Sequence, residues 1–181
     1  MTMRGYFGIG VEGISKEANV GNLVRSAHSF GASFFFAITP EVDIKAMRVS
    51  DTADSFDHMP YYEYDSVKTM DLPKECQLVG IELVDDSIAL PSFRHPTRAA
   101  YVLGPEMGSL SPAMMKRCDH IIQIPMKFCV NVGVAGAIVM YDRLISMGRF
   151  APRPVKAGGP TEEPHHGQPK GHRRKVRKAK A

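Results

Sequence analysis

The sequence predicts an α/β domain on a mostly parallel sheet, followed by a basic tail. Three observations predict this. Short apolar runs of strand length alternate with segments of helical spacing, and some of those runs are apolar throughout, as in strands buried on both faces. The composition then changes near Pro152, so residues 1–150 are read as the folded body and residues 151–181 as a disordered tail.

The elements follow in order. Tyr6 to Val11 is a first strand, and Asn19 to Phe30 has helical spacing with Leu23, Ala27 and Phe30 on one side. Asn19 is placed to cap that helix and Gly31 to end it. Ser33 to Ile38 is a doubly buried strand, residues 41–60 read as a short helix with loops, and residues 65–70 as a further helix. Gln77 to Leu83 and Ala99 to Leu103 are strands, and Ser111-Pro112 opens a helix with proline at its first position. Ile121 to Ile124 is a strand stopped by Pro125, and Val132 to Met147 is a closing helix with Gly148 after it.

Composition narrows the functional classes. With 44% hydrophobic and 23% charged residues, the chain is neither wholly disordered nor fibrous. No apolar run is long enough to span a membrane, and the start, Met1-Thr2-Met3-Arg4-Gly5, lacks the apolar stretch of a secretory leader. The three cysteines contain no CxxC pair, which argues against a disulfide framework or a zinc site and for a reducing cytoplasm. His165, His166 and His172 have no convincing ligand spacing, so no metal is assigned. The tail carries nine Lys/Arg against two Glu, while the body carries fourteen against seventeen Asp/Glu. Arg173, Arg174, Lys175, Arg177 and Lys178 would attract a polyanion through phosphate contacts, or simply keep the chain soluble. A membrane-surface role is disfavoured because the tail has no apolar face.

Ligands of open parallel sheets sit beyond the carboxyl ends of the strands, where residues 10–25, 103–111 and 124–133 fall. Gly8-Ile9-Gly10-Val11-Glu12-Gly13 matches a dinucleotide fingerprint literally, but two of its glycines lie inside the strand and the helix opens later. Arg25 stands two turns into an otherwise apolar helix, where a planar cation could grip a phosphate or carboxylate, or be a plain surface arginine. Gly104 permits close approach of a ligand to backbone, and Glu106 offers an acceptor or base, or marks a tight turn. The small-residue helix after Asn131 could receive an anion at its N-terminus, or pack closely.

Taken together, Asn19 to Gly31 (N-x-G-x-x-x-R, then a helix ending in Phe-Gly), Leu103 to Leu110, and Ile124-Pro125-Met126 with Cys129 to Ala135 resemble, in order and spacing, the three motifs of the SpoU (TrmH) family of RNA ribose methyltransferases in the SPOUT superfamily. The resemblance covers about residues 4–147. It implies an α/β domain with a deep C-terminal trefoil knot, spanning residues 1–150, that works as a homodimer. It implies S-adenosylmethionine as methyl donor, wrapped by Gly104, Ile124, Met126 and the loop around Cys129, with Ile81, Leu103, Glu106, Gly108 and Asn131 completing the pocket. The product would be a 2′-O-methylated ribose in RNA, with tRNA favoured over rRNA because the chain looks like the minimal type. Arg25 inherits the role of proton acceptor or of phosphate grip. Asn19 and Asn131 would position backbone or substrate, and Glu106 would hold its loop or a substrate group. Cys129 and Gly133 stand where the family commonly has serines. A knotted RNA-binding protein with weak or lost catalysis is therefore an alternative, as is a base-methylating SPOUT enzyme. A dinucleotide-dependent enzyme is the reading that the N-terminal glycines alone would suggest.

Overall fold

The computed structural model describes residues 5–44, 56–148, 150, 153–154 and 157–159. Its strands are β1 (Tyr6–Glu12), β2 (Phe34–Ile38), β3 (Tyr61–Tyr64), β4 (Gln77–Ile81), β5 (Ile88–Ala89), β6 (Arg98–Leu103) and β7 (His120–Gln123). Its helices are α1 (Glu17–Phe30), α2 (Pro112–Arg117) and α3 (Val132–Met147). The strands form one sheet in the order β3-β2-β1-β6-β4-β7-β5, and every described pairing is parallel.

The all-apolar runs became central strands. β2 is buried at every position and β1 at all but its first, as two covered faces require. Their side chains alternate between two cores. Phe7, Ile9, Val11, Phe35 and Ala37 face Leu23 and Val24 of α1 and Val139 of α3. Phe34, Phe36 and Ile38 join Leu78, Val102 and Met114 on the other side. The glycines of β1 serve this packing. A Cβ on Gly8 would lie 2.2 Å from the Phe34 ring, and one on Gly10 2.5 Å from that of Phe36. The fingerprint-like glycines thus make room for phenylalanines of the neighbouring strand, and no helix opens on them.

β7 follows both β4 and β5 in the chain yet lies between them. Ile122 is paired with Ile81 on one side and with Ile88 on the other, so the connection 82–87 must cross β7. The amide of Glu82 donates to the Ile122 carbonyl at 2.9 Å where the crossing begins.

Several boundaries differ from expectation. α1 begins at Glu17, so Asn19 lies inside the helix rather than capping it, and the capping position, Lys16, makes no side-chain bond of its own. Residues 65–70 form a turn, not a helix. There the Ser66 and Thr69 side chains bond each other's backbone, the competition by which Ser and Thr oppose helix. β3 and the two-residue β5 carry too little pattern to read. Ser111 does cap α2, accepting from the Met114 amide at 3.1 Å, and α3 matches its expected bounds. Residues 45–55, the middle of the short helix with loops expected over 41–60, the boundary at Pro152 and the basic tail residues 173–178 lie outside the described residues. Among those described, no helix is long and apolar enough to cross a membrane.

At the end of the sheet where β1 and β6 begin, Arg143 of α3 is 1% exposed. It donates to the carbonyls of Pro96, Thr97 and Tyr6 and, at 3.1 Å, to the Tyr101 hydroxyl, and its guanidinium lies 5.2 Å from the Phe7 ring centre. Burial pushes the His95 pKa down despite Asp142 beside it, so the ring is neutral. One proton pattern then satisfies the cluster: Tyr101 donates to His95 Nδ1 at 2.6 Å, and His95 Nε2 donates to Asp142 at 2.9 Å.

Replacing Arg143 with Met should cost about 3–5 kcal/mol, because the Pro96 and Tyr6 carbonyls and the Tyr101 hydroxyl lose the Arg143 donor at once, while Thr97 keeps only the Tyr6 amide. A lower urea midpoint with an unchanged slope is the expected result, and an unchanged midpoint would refute this role.

Candidate active site at the carboxyl ends of the sheet

β4, β6 and β7 run parallel, so their carboxyl ends open on one side, and a cleft of about 280 Å³ lies there. Ile81, Leu103 and Ile124, each at or just past a strand end, make its apolar walls with Val132 and Ala135 of α3. Gly104, Glu106 and Gly108 enter from the loop after β6, and Met126, Cys129 and Val130 from the loop after β7. Of the residues that sequence suggested for a cofactor, all but Asn131 therefore line one cleft. Asn131 instead faces a neighbouring groove between α1 and α3, together with Arg25 and Tyr141.

A chain of hydrogen bonds joins the three motif segments, and its direction follows from chemistry. An ionised carboxylate only accepts. Glu106 accepts from the amides of Ser15 and Lys16, both at 3.1 Å, and from the Ser15 hydroxyl at 3.0 Å. It thus supplies, from 90 residues away, the cap that Lys16 does not provide for α1. Glu106 also accepts from Asn19 Nδ2 at 2.7 Å. The buried Asn19 must then turn its oxygen away, and Oδ1 accepts from Asn131 Nδ2 at 2.7 Å. Asn131 Oδ1 is left to accept from the Gly133 amide at 2.8 Å, capping α3. Partial burial pushes the Glu106 carboxyl up, but the bonds from Asn19 and Ser15 outweigh it and hold the pKa below the ordinary value.

Sequence reasoning missed two further carboxylates that fasten the same loop. Glu12, buried at the end of β1, accepts from the Ser111 amide at 2.8 Å and its hydroxyl at 2.6 Å. Glu82, just past β4, accepts from the Leu110 amide at 2.7 Å. The available signal was an acid directly ending or following an apolar strand, which places it at the ligand-facing end of a parallel sheet. Gly104 lines the cleft and also has a role inside its own loop. A Cβ there would lie 3.0 Å from the Leu110 nitrogen and 3.1 Å from the Ser109 carbonyl carbon, so the glycine lets the loop fold on itself.

The cleft suits a ligand with an apolar body: its walls are strand-end aliphatics, and Glu82 and Glu106 are among the residues that line it. Cys129 is an exposed thiol at its edge. Arg25 is exposed on α1, beside Asn131 but on the groove side. Among the described residues, no group of three or more His, Cys, Asp or Glu is placed to hold a metal.

Residues 7–141 match the model of the SpoU rRNA Methylase family. No curated protein sequence matches the chain. Among solved structures, the fold is similar to the SpoU methyltransferase AviRb from Streptomyces viridochromogenes in complex with the cofactor AdoMet, at 20% identity and TM-score 0.67 over 80% of this chain and 61% of that one. It is similar to the A. aeolicus TrmH/SpoU tRNA modifying enzyme, at 18% identity and TM-score 0.63 over 80% of this chain and 77% of that one. It is also similar to a protein whose structure is described as giving insights into the 2-OH methylation of C/U34 on tRNA, at 19% identity and TM-score 0.68, covering 79% of this chain and 97% of that one. The chain thus spans less than two thirds of AviRb.

Glu106→Gln puts an amide donor where only acceptors fit, and should cost about 1–2 kcal/mol at neutral pH. Because the native pKa is depressed, the contribution of Glu106 is fully present above the ordinary glutamate value of about 4.3 and is lost as pH falls through the lower native value. Stability measured against pH for both proteins should therefore converge in acid, and parallel curves would refute the assignment.

Proposed function

The chain belongs to the SpoU rRNA Methylase family, and from that premise we propose that it transfers a methyl group from S-adenosylmethionine to a ribose 2′-hydroxyl of RNA, with tRNA favoured over rRNA. The observation that carries this reading is the Glu106–Asn19–Asn131 chain, which ties the loops around the cleft to the helix bearing Arg25. When bound, S-adenosylmethionine supplies a methyl carbon made electrophilic by its sulfonium. Ile81, Leu103, Ile124 and Met126 would cover its apolar parts, while Gly104, Gly108 and Cys129 would offer backbone at the rim and Glu106 a compensating negative charge. The two asparagines would keep both helix starts fixed, so that the oxygen, methyl and sulfur can be held in line.

Arg25 would grip a phosphate beside the target ribose. An arginine stays protonated in proteins, so orientation rather than proton removal is the role its chemistry favours. With the donor held by the cleft and the ribose by Arg25, the methyl would pass to the 2′-oxygen, leaving S-adenosylhomocysteine in the cleft while the hydroxyl proton goes to water. Preference for tRNA draws on the neighbour that is matched over 97% of its own length, whose structure is described in terms of tRNA. The crossing of β7 by residues 82–87 would be part of the trefoil knot. A homodimer would cover the groove between α1 and α3, where Val134 and Tyr141 are about half exposed next to Arg25. The basic tail would add sequence-independent affinity for RNA, through Arg173, Arg174, Lys175, Arg177 and Lys178. A reducing cytoplasm would keep Cys129 a thiol.

A second reading, an RNA-binding protein with weak catalysis, is favoured by one observation: Cys129 lines the cleft where the family commonly has serine, and a thiol is the weaker donor. Cys129→Ser should raise turnover if this is so.

Calorimetric titration should give micromolar binding of S-adenosylmethionine and none of NAD, and the reverse would overturn the reading. Digestion of methylated RNA to nucleosides should place the methyl group on ribose, whereas a methylated base would favour the base-modifying alternative. Arg25→Ala should abolish transfer with donor affinity changed less than about threefold, because Arg25 lies outside the cleft. Removal of residues 152–181 should weaken RNA binding and flatten its dependence on salt.

A further inference from the structure

The mouth of the cleft carries two large apolar side chains that pack against little of this chain. Met107 is 90% exposed and Phe128 84% exposed, more than any other large hydrophobic residue described. They come from different loops, and each sits between residues that line the cleft: Met107 between Glu106 and Gly108, Phe128 between Met126 and Cys129. Burying either ring or thioether would be favourable, so both offer apolar surface to an occupant of the rim. Two exposed lysines belong to the same segments: Lys127 directly precedes Phe128, and the backbone amide of Lys16 is bonded to Glu106, the neighbour of Met107. Flat apolar surface interleaved with cations is what a single-stranded nucleotide recognises, with its base on the aromatic face and its phosphates on the ammonium groups. A folded protein partner would not require the cations, and a donor molecule confined to the cleft would not reach a side chain that lines no part of it.

We propose that Phe128, backed by Met107, is the stacking platform for an unpaired base of the RNA substrate, with Lys127 and Lys16 on the adjoining phosphates. This rests on the RNA methyltransferase reading and adds to it a specificity: the target nucleotide must be unstacked, in a loop or at an end, rather than within a helix.

The test exploits composition, since the full chain contains no tryptophan. Phe128→Trp in the full-length protein places a single indole at the rim. A single-stranded oligoribonucleotide should quench its emission, and an abasic oligomer with the same backbone should not. Phe128→Ala should weaken binding of the same oligomer on the order of tenfold, with Phe128→Tyr retaining most of the affinity. S-adenosylmethionine affinity is measured on every variant and should not change. Unchanged oligomer affinity in Phe128→Ala, equal quenching by the abasic oligomer, or no binding of the oligomer to wild type would each overturn the proposal. Emission that shifts with protein concentration alone would also overturn it, by placing a second copy of the chain on the rim. Loss of donor binding in the wild type is a separate result that strikes the methyltransferase reading itself.

Discussion

A carboxylate cannot donate a hydrogen bond, and much of the candidate site depends on that restriction at Glu106. Asn19 and Asn131 each carry a group that could face either way. Neither has a choice here, because Asn19 must present its nitrogen to Glu106 and each amide then sets the next. The last link is the Gly133 amide, so a charge on the loop after β6 determines the cap of a helix that starts beyond β7. Glu12 and Glu82 hold the remainder of that loop from the ends of two other strands. The cleft walls are thus positioned by three acids acting on backbone and amide donors, a rigid arrangement that leaves the apolar strand ends free to contact a ligand.

What was legible in the sequence was local. Val132 to Met147 reads as a helix because it is a long run rich in small and apolar residues that stops at Gly148, and Phe34 to Ile38 reads as a buried strand because it contains nothing polar. Asn19 was misread because the rule for caps looks one turn ahead, whereas the group that caps α1 comes from another part of the chain. The glycines of β1 show the opposite failure. Their spacing mimics a phosphate loop, yet the rings they accommodate belong to a strand more than twenty residues on. The three motifs were readable as a set, while the bonds that join them were not, since no periodicity encodes a contact across 87 or 112 residues.

The opposite end of the sheet obeys a related logic with the charge reversed. Arg143 gathers carbonyls that begin β1 and β6, and the neutral His95 links Tyr101 to Asp142 beside it. One end is therefore organised by acceptors that collect amides, the other by a donor that collects carbonyls. α3 runs between them: its first turn is capped by Asn131 and its last turns bring Asp142 and Arg143. A disturbance of either end has a direct structural route to the other along that helix.

The placement of β7 between two strands made earlier has a consequence for how the chain is synthesised. A ribosome delivers β4, β5 and β6 before β7 exists, so the gap between β4 and β5 cannot be filled when its two sides emerge. Contacts of such sequence separation slow folding and prolong exposure of unpaired strand edges. The finished order β4-β7-β5 can therefore close only after the roughly forty residues between the start of that crossing and β7 have been made, which leaves the facing edges of β4 and β5 unpaired until then.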